Sequence, residues 1–246
     1  FFLASACSKR VDLLVHNAKI YTVNADFDQV SAFVVKNGKF VAVGGEDLVN
    51  KYTPTNIVDA QGLAIFPGFI DAHGHLFSLG LNQFKADLRD TEGIDHIIER
   101  IKRHQDKYNQ KIILGVGWDE NQWSEVTFLD NQKLNQAFPD IPVVLERIDG
   151  HAFLVNQKAL EMAGIHFQTY VEGGQIVKHN GKLTGVLVDN AKQLVEKIVP
   201  EFSAEHKTKA LLKAQELSFE NGLTTVDQAG ISKKDIYLID SLQKKD

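Results

Sequence analysis

The hydrophobic period of the chain changes near residue 65, and this change limits the possible folds more than any other feature of the sequence. From Val11 to about Ile65, short runs alternate apolar and polar residues: Val11-Asp12-Leu13-Leu14-Val15, Lys19-Ile20-Tyr21-Thr22-Val23 and Ser31-Ala32-Phe33-Val34-Val35. Successive strand side chains point to opposite faces, so a period of two marks strands with one face buried. Asn37-Gly38 separates the third run from Phe40-Val41-Ala42-Val43, and Asn-Gly suits the positive φ angles of a two-residue hairpin. The leading segment is expected to be a small antiparallel β unit without chemistry of its own.

Beyond it, strands alternate with helices. Ala64 to Asp71 reads as a strand, and Ile94, Ile97, Ile98 and Ile101 share one face of a helix that Thr91 is placed to cap. Lys111 to Gly117 and Pro142 to Ile148 read as buried strands, and Asn156 to Ala163 as a short helix capped by Asn156 and ended by Gly164. Asn180-Gly181 marks a second hairpin. Ser203 is placed to start a long helix that stops at Asn221-Gly222, Leu223 to Val226 is a fourth strand, and Ile236, Ile239 and Leu242 mark a last helix. Strand–helix alternation builds a parallel sheet, either doubly wound or closed into a barrel. A complete (β/α)8 barrel takes eight strands and about 250 residues. With four strands legible, half a barrel is the expectation.

The 43% hydrophobic and 24% charged residues are ordinary for a globular chain. A net charge of -5 gives no basic footprint, so no nucleic-acid partner is expected. After the first residues no apolar run approaches the roughly 18 needed to span a bilayer. The opening Phe1-Phe2-Leu3-Ala4-Ser5-Ala6-Cys7 reads as the tail of an apolar signal region with small residues before a cysteine, and it resembles a lipoprotein signal. Residue 1 is Phe and the single methionine is Met162, so the translation start is expected upstream. On this reading a lipidated Cys7 anchors the protein to a membrane of the cell envelope. The other reading, a buried strand or free thiol near the terminus, leaves it cytoplasmic.

Phe69-Ile70-Asp71-Ala72-His73-Gly74-His75 is the stretch richest in chemistry. On a strand, Asp71, His73 and His75 project to one face. Two imidazoles two residues apart make a divalent-metal half-site, suited to zinc, iron or nickel. The strand's C-terminal end is also where barrel enzymes keep their active sites. His151 follows the third strand in Asp149-Gly150-His151, as a loop histidine bonded to backbone or as a contact to substrate or metal. Arg147 would orient an anionic group or pair with a nearby acid. Trp118 and Trp123 would line a pocket or pack as core. The other histidines, His16, His96, His104, His166, His179 and His206, fall on expected surface helices or turns.

Pro67-Gly68-Phe69-Ile70-Asp71-Ala72-His73-Gly74-His75 resembles the signature of the amidohydrolase superfamily, in which such a strand closes a small β-sandwich and opens a metal-binding barrel. Gly117-Trp118-Asp119-Glu120-Asn121-Gln122-Trp123, Arg147-Ile148-Asp149-Gly150-His151, Asn156 to Ile165 and Thr184-Gly185-Val186-Leu187 are similar to stretches of amidohydrolase family 3, the YtcJ-like branch that includes N-substituted formamide deformylase. The resemblance implies an α/β chain in which residues 11–65 are an N-terminal β-sandwich segment and residues 66–246 the first half of a metal-dependent hydrolase (β/α)8 TIM-like barrel, truncated. Residues 1–10 are expected, from their own sequence, to be the remnant of a lipoprotein-type signal. The resemblance further implies a divalent metal, zinc being expected, on His73 and His75, and a small-molecule amide substrate near His151, Arg147, Trp118, Asp119 and Trp123. The remaining ligands and a general-base aspartate are expected beyond residue 246, and some family members carry an acid near the metal in the stretch that holds Asp189. The implied reaction is hydrolysis of non-peptide carbon–nitrogen bonds by a metal-activated water, in the full-length protein and not in these residues alone. Hydrolysis of cyclic amides and a non-catalytic scaffold with the same fold are the alternatives.

Overall fold

The computed structural model describes residues 9–124 and 129–245; Cys7 and its expected lipidation lie outside them. The chain divides into two compact units, one running to Ala72 and including Asn221–Asp227, the other built from His73–Glu220 and the residues from Gln228 onward.

The first unit contains β1 (Lys9–His16), β2 (Lys19–Tyr21), β3 (Gln29–Val30), β4 (Ala32–Lys36), β5 (Lys39–Gly44), the short helix α1 (Leu48–Lys51), β6 (Tyr52–Asp59) and β7 (Ala64–Ile65). They form a four-stranded sheet in the order β5-β4-β1-β6 and a three-stranded sheet β3-β2-β7. Val11, Leu14, Ala32, Val34 and Leu48 make its core. The β4–β5 hairpin turns on Asn37 and Gly38, whose φ angles of 50° and 70° are the pair that Asn-Gly accommodates. The unit is not wholly antiparallel, because β6 pairs parallel to β1 and β7 parallel to β2. Parallel neighbours need a crossover between them, and here the intervening strands supply it, which no local turn signal announces.

The strand β8 (Phe69–Gly74) leads out of this unit and ends in the second. There follow α2 (Leu76–Asn82), β9 (Ala86–Asp87), α3 (Ile94–Tyr108), β10 (Ile113–Trp118), α4 (Gln132–Ala137), β11 (Val143–Arg147), β12 (Ala152–Val155), α5 (Gln157–Met162), β13 (Gly174–His179), β14 (Lys182–Asp189), α6 (Lys192–Glu196), α7 (Ala204–Glu220), β15 (Leu223–Gln228) and α8 (Lys233–Gln243). A six-stranded sheet runs β13-β14-β12-β11-β10-β9, and β15 pairs with β8 in a separate two-stranded sheet. The strands β9, β10 and β11 are mutually parallel, as strand–helix alternation requires. The sheet then continues antiparallel through β12, β14 and β13, and no closed barrel forms among the described residues.

Side chains of β11 explain why its first three residues, Val143-Val144-Leu145, read as an unbroken apolar run. Val143 and Leu145 pack with Ile97 and Ile101 of α3 and Leu134 of α4. Val144 faces the other way, into a second core with Phe153, Leu187, Leu160 and Val195. A strand buried on both faces has no polar alternation to show. Each large side chain fully buried in these layers contributes about 1.5–3 kcal/mol relative to exposure.

The starts of α5 and α7 follow local chemistry and that of α3 does not. Asn156 caps α5 by accepting from the Ala159 N–H at 3.1 Å, and Gly164 ends it with φ 66°. Ser203 Oγ accepts from the His206 N–H at 3.2 Å at the start of α7. Thr91 does not cap α3: it is buried, its hydroxyl donates to Leu88 O at 2.8 Å, and Gly93 takes the capping position without a side-chain bond.

Candidate metal centre and strand-end site

β8 is pinned to β15 at both ends. The Phe69 N–H donates to Gly222 O at 2.8 Å where the strands begin, and the Ala229 N–H donates to Gly74 O at 2.9 Å where they finish. Gly68, just before β8, is needed for this approach: a Cβ there would sit 2.2 Å from Thr224 Oγ1. The strand stops at Gly74, so His73 is its last-but-one residue and His75 occupies the N-cap position of α2. Their rings nevertheless stand side by side, with centroids 5.5 Å apart and planes at 89°.

One ring nitrogen of His75 is already engaged. Its Nδ1 lies 3.0 Å from Ala229 O, and a carbonyl oxygen only accepts, so the ring proton sits on Nδ1 and the Nε2 lone pair is left available. Histidines that hold metals commonly donate their second nitrogen to a backbone carbonyl in this way. Gln228 completes the arrangement: its Oε1 accepts the Phe77 N–H at 2.9 Å, in the first turn of α2, and its Nε2 donates to Ala229 O at 2.7 Å.

The pair fits a tetrahedral ion. Two nitrogen–metal bonds of about 2.1 Å at the tetrahedral angle, extended by an imidazole radius of about 1.1 Å, put ring centroids about 5.2 Å apart, against the 5.5 Å observed. Two imidazoles are half of a four-coordinate set. Among the described residues no group of three or more His, Cys, Asp or Glu side chains converges.

The second constellation lies at the end of β11. Arg147 forks onto Asp149 through Nε–Oδ1 at 3.0 Å and Nη2–Oδ2 at 2.8 Å, and its Nη1 donates to Glu120 Oε1 at 2.9 Å. The guanidinium beside Asp149 holds that carboxyl below the usual carboxylate range. Of the two roles open to Arg147, pairing with acids is the one realised. Asp149 Oδ1 also accepts the His151 N–H at 2.9 Å, while His151 Nδ1 lies 3.0 Å from Asp189 Oδ1. Lys192 donates to Gly150 O and stands 3.5 Å from Glu146, which Lys85 approaches at 3.7 Å from the other side.

Three of the expected substrate contacts are occupied with structural work. Trp118 is fully buried, its Nε1 donating to Leu145 O at 3.1 Å, and Trp123 is 7% exposed in the same core. Both indoles pack in this core, the second of the two roles open to them. Asp119 caps the turn Glu120–Gln122 by accepting the Asn121 N–H at 3.0 Å. His104 also departs from the surface expectation, being partly buried, and burial lowers its pKa.

The amidohydrolase family model matches residues 56–245. The chain belongs to the amidohydrolase family. As a member of it, the chain is 37% identical over 215 residues to YtcJ of Bacillus subtilis, covering 85% of the chain and 41% of that protein. It is 29% identical over 194 residues to N-substituted formamide deformylase of Arthrobacter pascens, covering 75% and 35% respectively. Among solved structures, an uncharacterized metal-dependent hydrolase from Pyrococcus horikoshii superposes with a TM-score of 0.67 at 26% identity, over 95% of this chain and 46% of that one. This amidohydrolase chain thus spans about two-fifths of the length of the curated relatives it matches. Sequence reasoning missed Ala229, which orients His75, because 154 residues separate it from its partner and nothing local marks it.

Proposed function

We propose that the full-length protein is a metal-dependent hydrolase of carbon–nitrogen bonds other than peptide bonds, acting on N-formyl or N-acyl amides, with His73 and His75 as two ligands of a divalent ion, zinc by preference. The observation that carries this reading is the perpendicular imidazole pair with the His75 Nδ1 proton committed to Ala229 O. The deformylase among the relatives and the metal-dependent hydrolase among the solved structures support the substrate class and the ion.

A divalent ion held there would polarise the substrate carbonyl and bring the pKa of its water down towards neutrality. His73 and His75 would hold it, and the Ala229 carbonyl, which also accepts from Gln228, would keep the His75 ring from turning. His151, on the loop after β11, contacts the substrate. The general base belongs to the part of the protein outside these residues, so turnover is expected of the full-length enzyme.

Metal content and turnover of an N-substituted formamide, measured together on full-length wild type, His73→Ala and His75→Ala, test the reading. Wild type should carry the metal, and each variant should lose metal and more than about a hundredfold in turnover while keeping its circular dichroism spectrum. A wild type that is metal-free after growth with zinc, with variants that lose nothing, leaves the non-catalytic scaffold as the better account.

A further inference from the structure

The loop after β11 fixes His151 far more tightly than an exposed histidine requires. Its N–H is held by Asp149, its carbonyl accepts the Asp189 N–H at 2.9 Å, and the carbonyl of Gly150 before it accepts from Lys192. Asp149 is in turn clamped by Arg147. With the backbone immobilised, the side chain remains 69% exposed. Its Nδ1 faces Asp189 Oδ1 at 3.0 Å. An ionised carboxylate accepts and cannot donate, so the proton of the neutral ring sits on Nδ1 and Nε2 carries a lone pair. The ring stands at the C-terminal end of a parallel strand, the end at which α/β sheets bind ligands.

We propose that Asp189 is a positioning residue that sets the His151 tautomer, so that the Nε2 lone pair accepts the N–H of the substrate amide and selects carbon–nitrogen bonds whose nitrogen carries a hydrogen. The inference rests on the hydrolase reading and adds a specificity determinant to it. An amide nitrogen bearing hydrogen donates to Nε2, whereas the oxygen of the matching ester presents only lone pairs to it.

The test compares an N-substituted formamide with the formate ester of the same shape in the full-length enzyme. His151→Ala should lower kcat/KM for the amide about tenfold relative to that for the ester, the worth of one hydrogen bond of about 1.4 kcal/mol. Asp189→Asn should do the same. Asn tolerates the left-handed φ of 49° at this position, and its amide can donate to Nδ1 and so move the ring proton to Nε2. Selective ¹⁵N-histidine spectra of metal-stripped full-length protein give an independent readout: Nδ1 protonated, Nε2 bare, and an Nε2 signal that shifts with the amide and not with the ester. A ring protonated on Nε2 in wild type, or amide and ester rates that fall together, overturns the inference. A wild type that hydrolyses the amide while Nε2 ignores it overturns this inference alone. A protein whose Nε2 responds to the amide but that turns over neither compound refutes the hydrolase reading, and with it the selection of carbon–nitrogen bonds.

Discussion

Replacing Gly80 by alanine should destabilise the protein and loosen the metal site, although in an ordinary helix the same change stabilises. Gly80 is buried in α2, and a Cβ there would lie 2.2 Å from Ala210 O and 2.6 Å from Ala210 C in α7. The obstacle is helical backbone, which has no rotamer to escape into, so α2 must retreat by about 1 Å to restore ordinary contact distances. Alanine gains about 1 kcal/mol over glycine in helix propensity. Overpacking against a fixed wall costs about 1–3 kcal/mol, and the upper end applies here. The net expectation is a loss of about 2 kcal/mol. α2 begins directly after His75, whose ring is tied to Ala229 by a single 3.0 Å bond; a shift of about 1 Å takes that pair beyond hydrogen-bond range. Metal affinity should drop about tenfold or more, as when an orienting partner is removed. Urea unfolding and competitive metal titration of full-length wild type and Gly80→Ala measure both. An unfolding midpoint at or above that of wild type would mean that propensity wins and that α2 and α7 are not pressed together as described.

Asn156 is 0% exposed and makes four bonds, accepting from the N–H groups of Val143 and Ala159 and donating to the carbonyls of Phe138 and Ile141 at 2.8 Å each. Asn156→Ala removes a helix cap and strands buried backbone groups, so unfolding should show a loss of about 3 kcal/mol or more; a loss under about 1 kcal/mol would show that water replaces the side chain. At the N-terminus, the precursor should partition into membranes through lipidated Cys7, and Cys7→Ala should release or leave it unprocessed; identical soluble fractionation of the two would remove the envelope proposal.

The elements that depend on neighbouring residues were legible in the sequence. Asn37-Gly38 and Asn180-Gly181 turn their hairpins with positive φ at both residues, because that backbone is a property of the dipeptide. Asn156 and Ser203 cap their helices, since a cap needs only a side-chain acceptor and the N–H groups two or three residues on. The closeness of His73 and His75 was expected from period-two spacing on a strand, and it is reached although His75 has left the strand for the N-cap of α2. What the sequence could not contain were choices made between distant segments. The two tryptophans carried equal weight as core or as pocket until β11 and α4 closed over them. Thr91 has the chemistry of a cap, yet it turned inward to Leu88, because burial decides which acceptor a hydroxyl can reach. Asp189 meets His151 across 38 residues and Ala229 meets His75 across 154, pairings that exist only because parallel and antiparallel strands bring their ends together. Spacing along the chain thus determined which residues could act, and tertiary structure alone decided which nitrogen of each imidazole remains available.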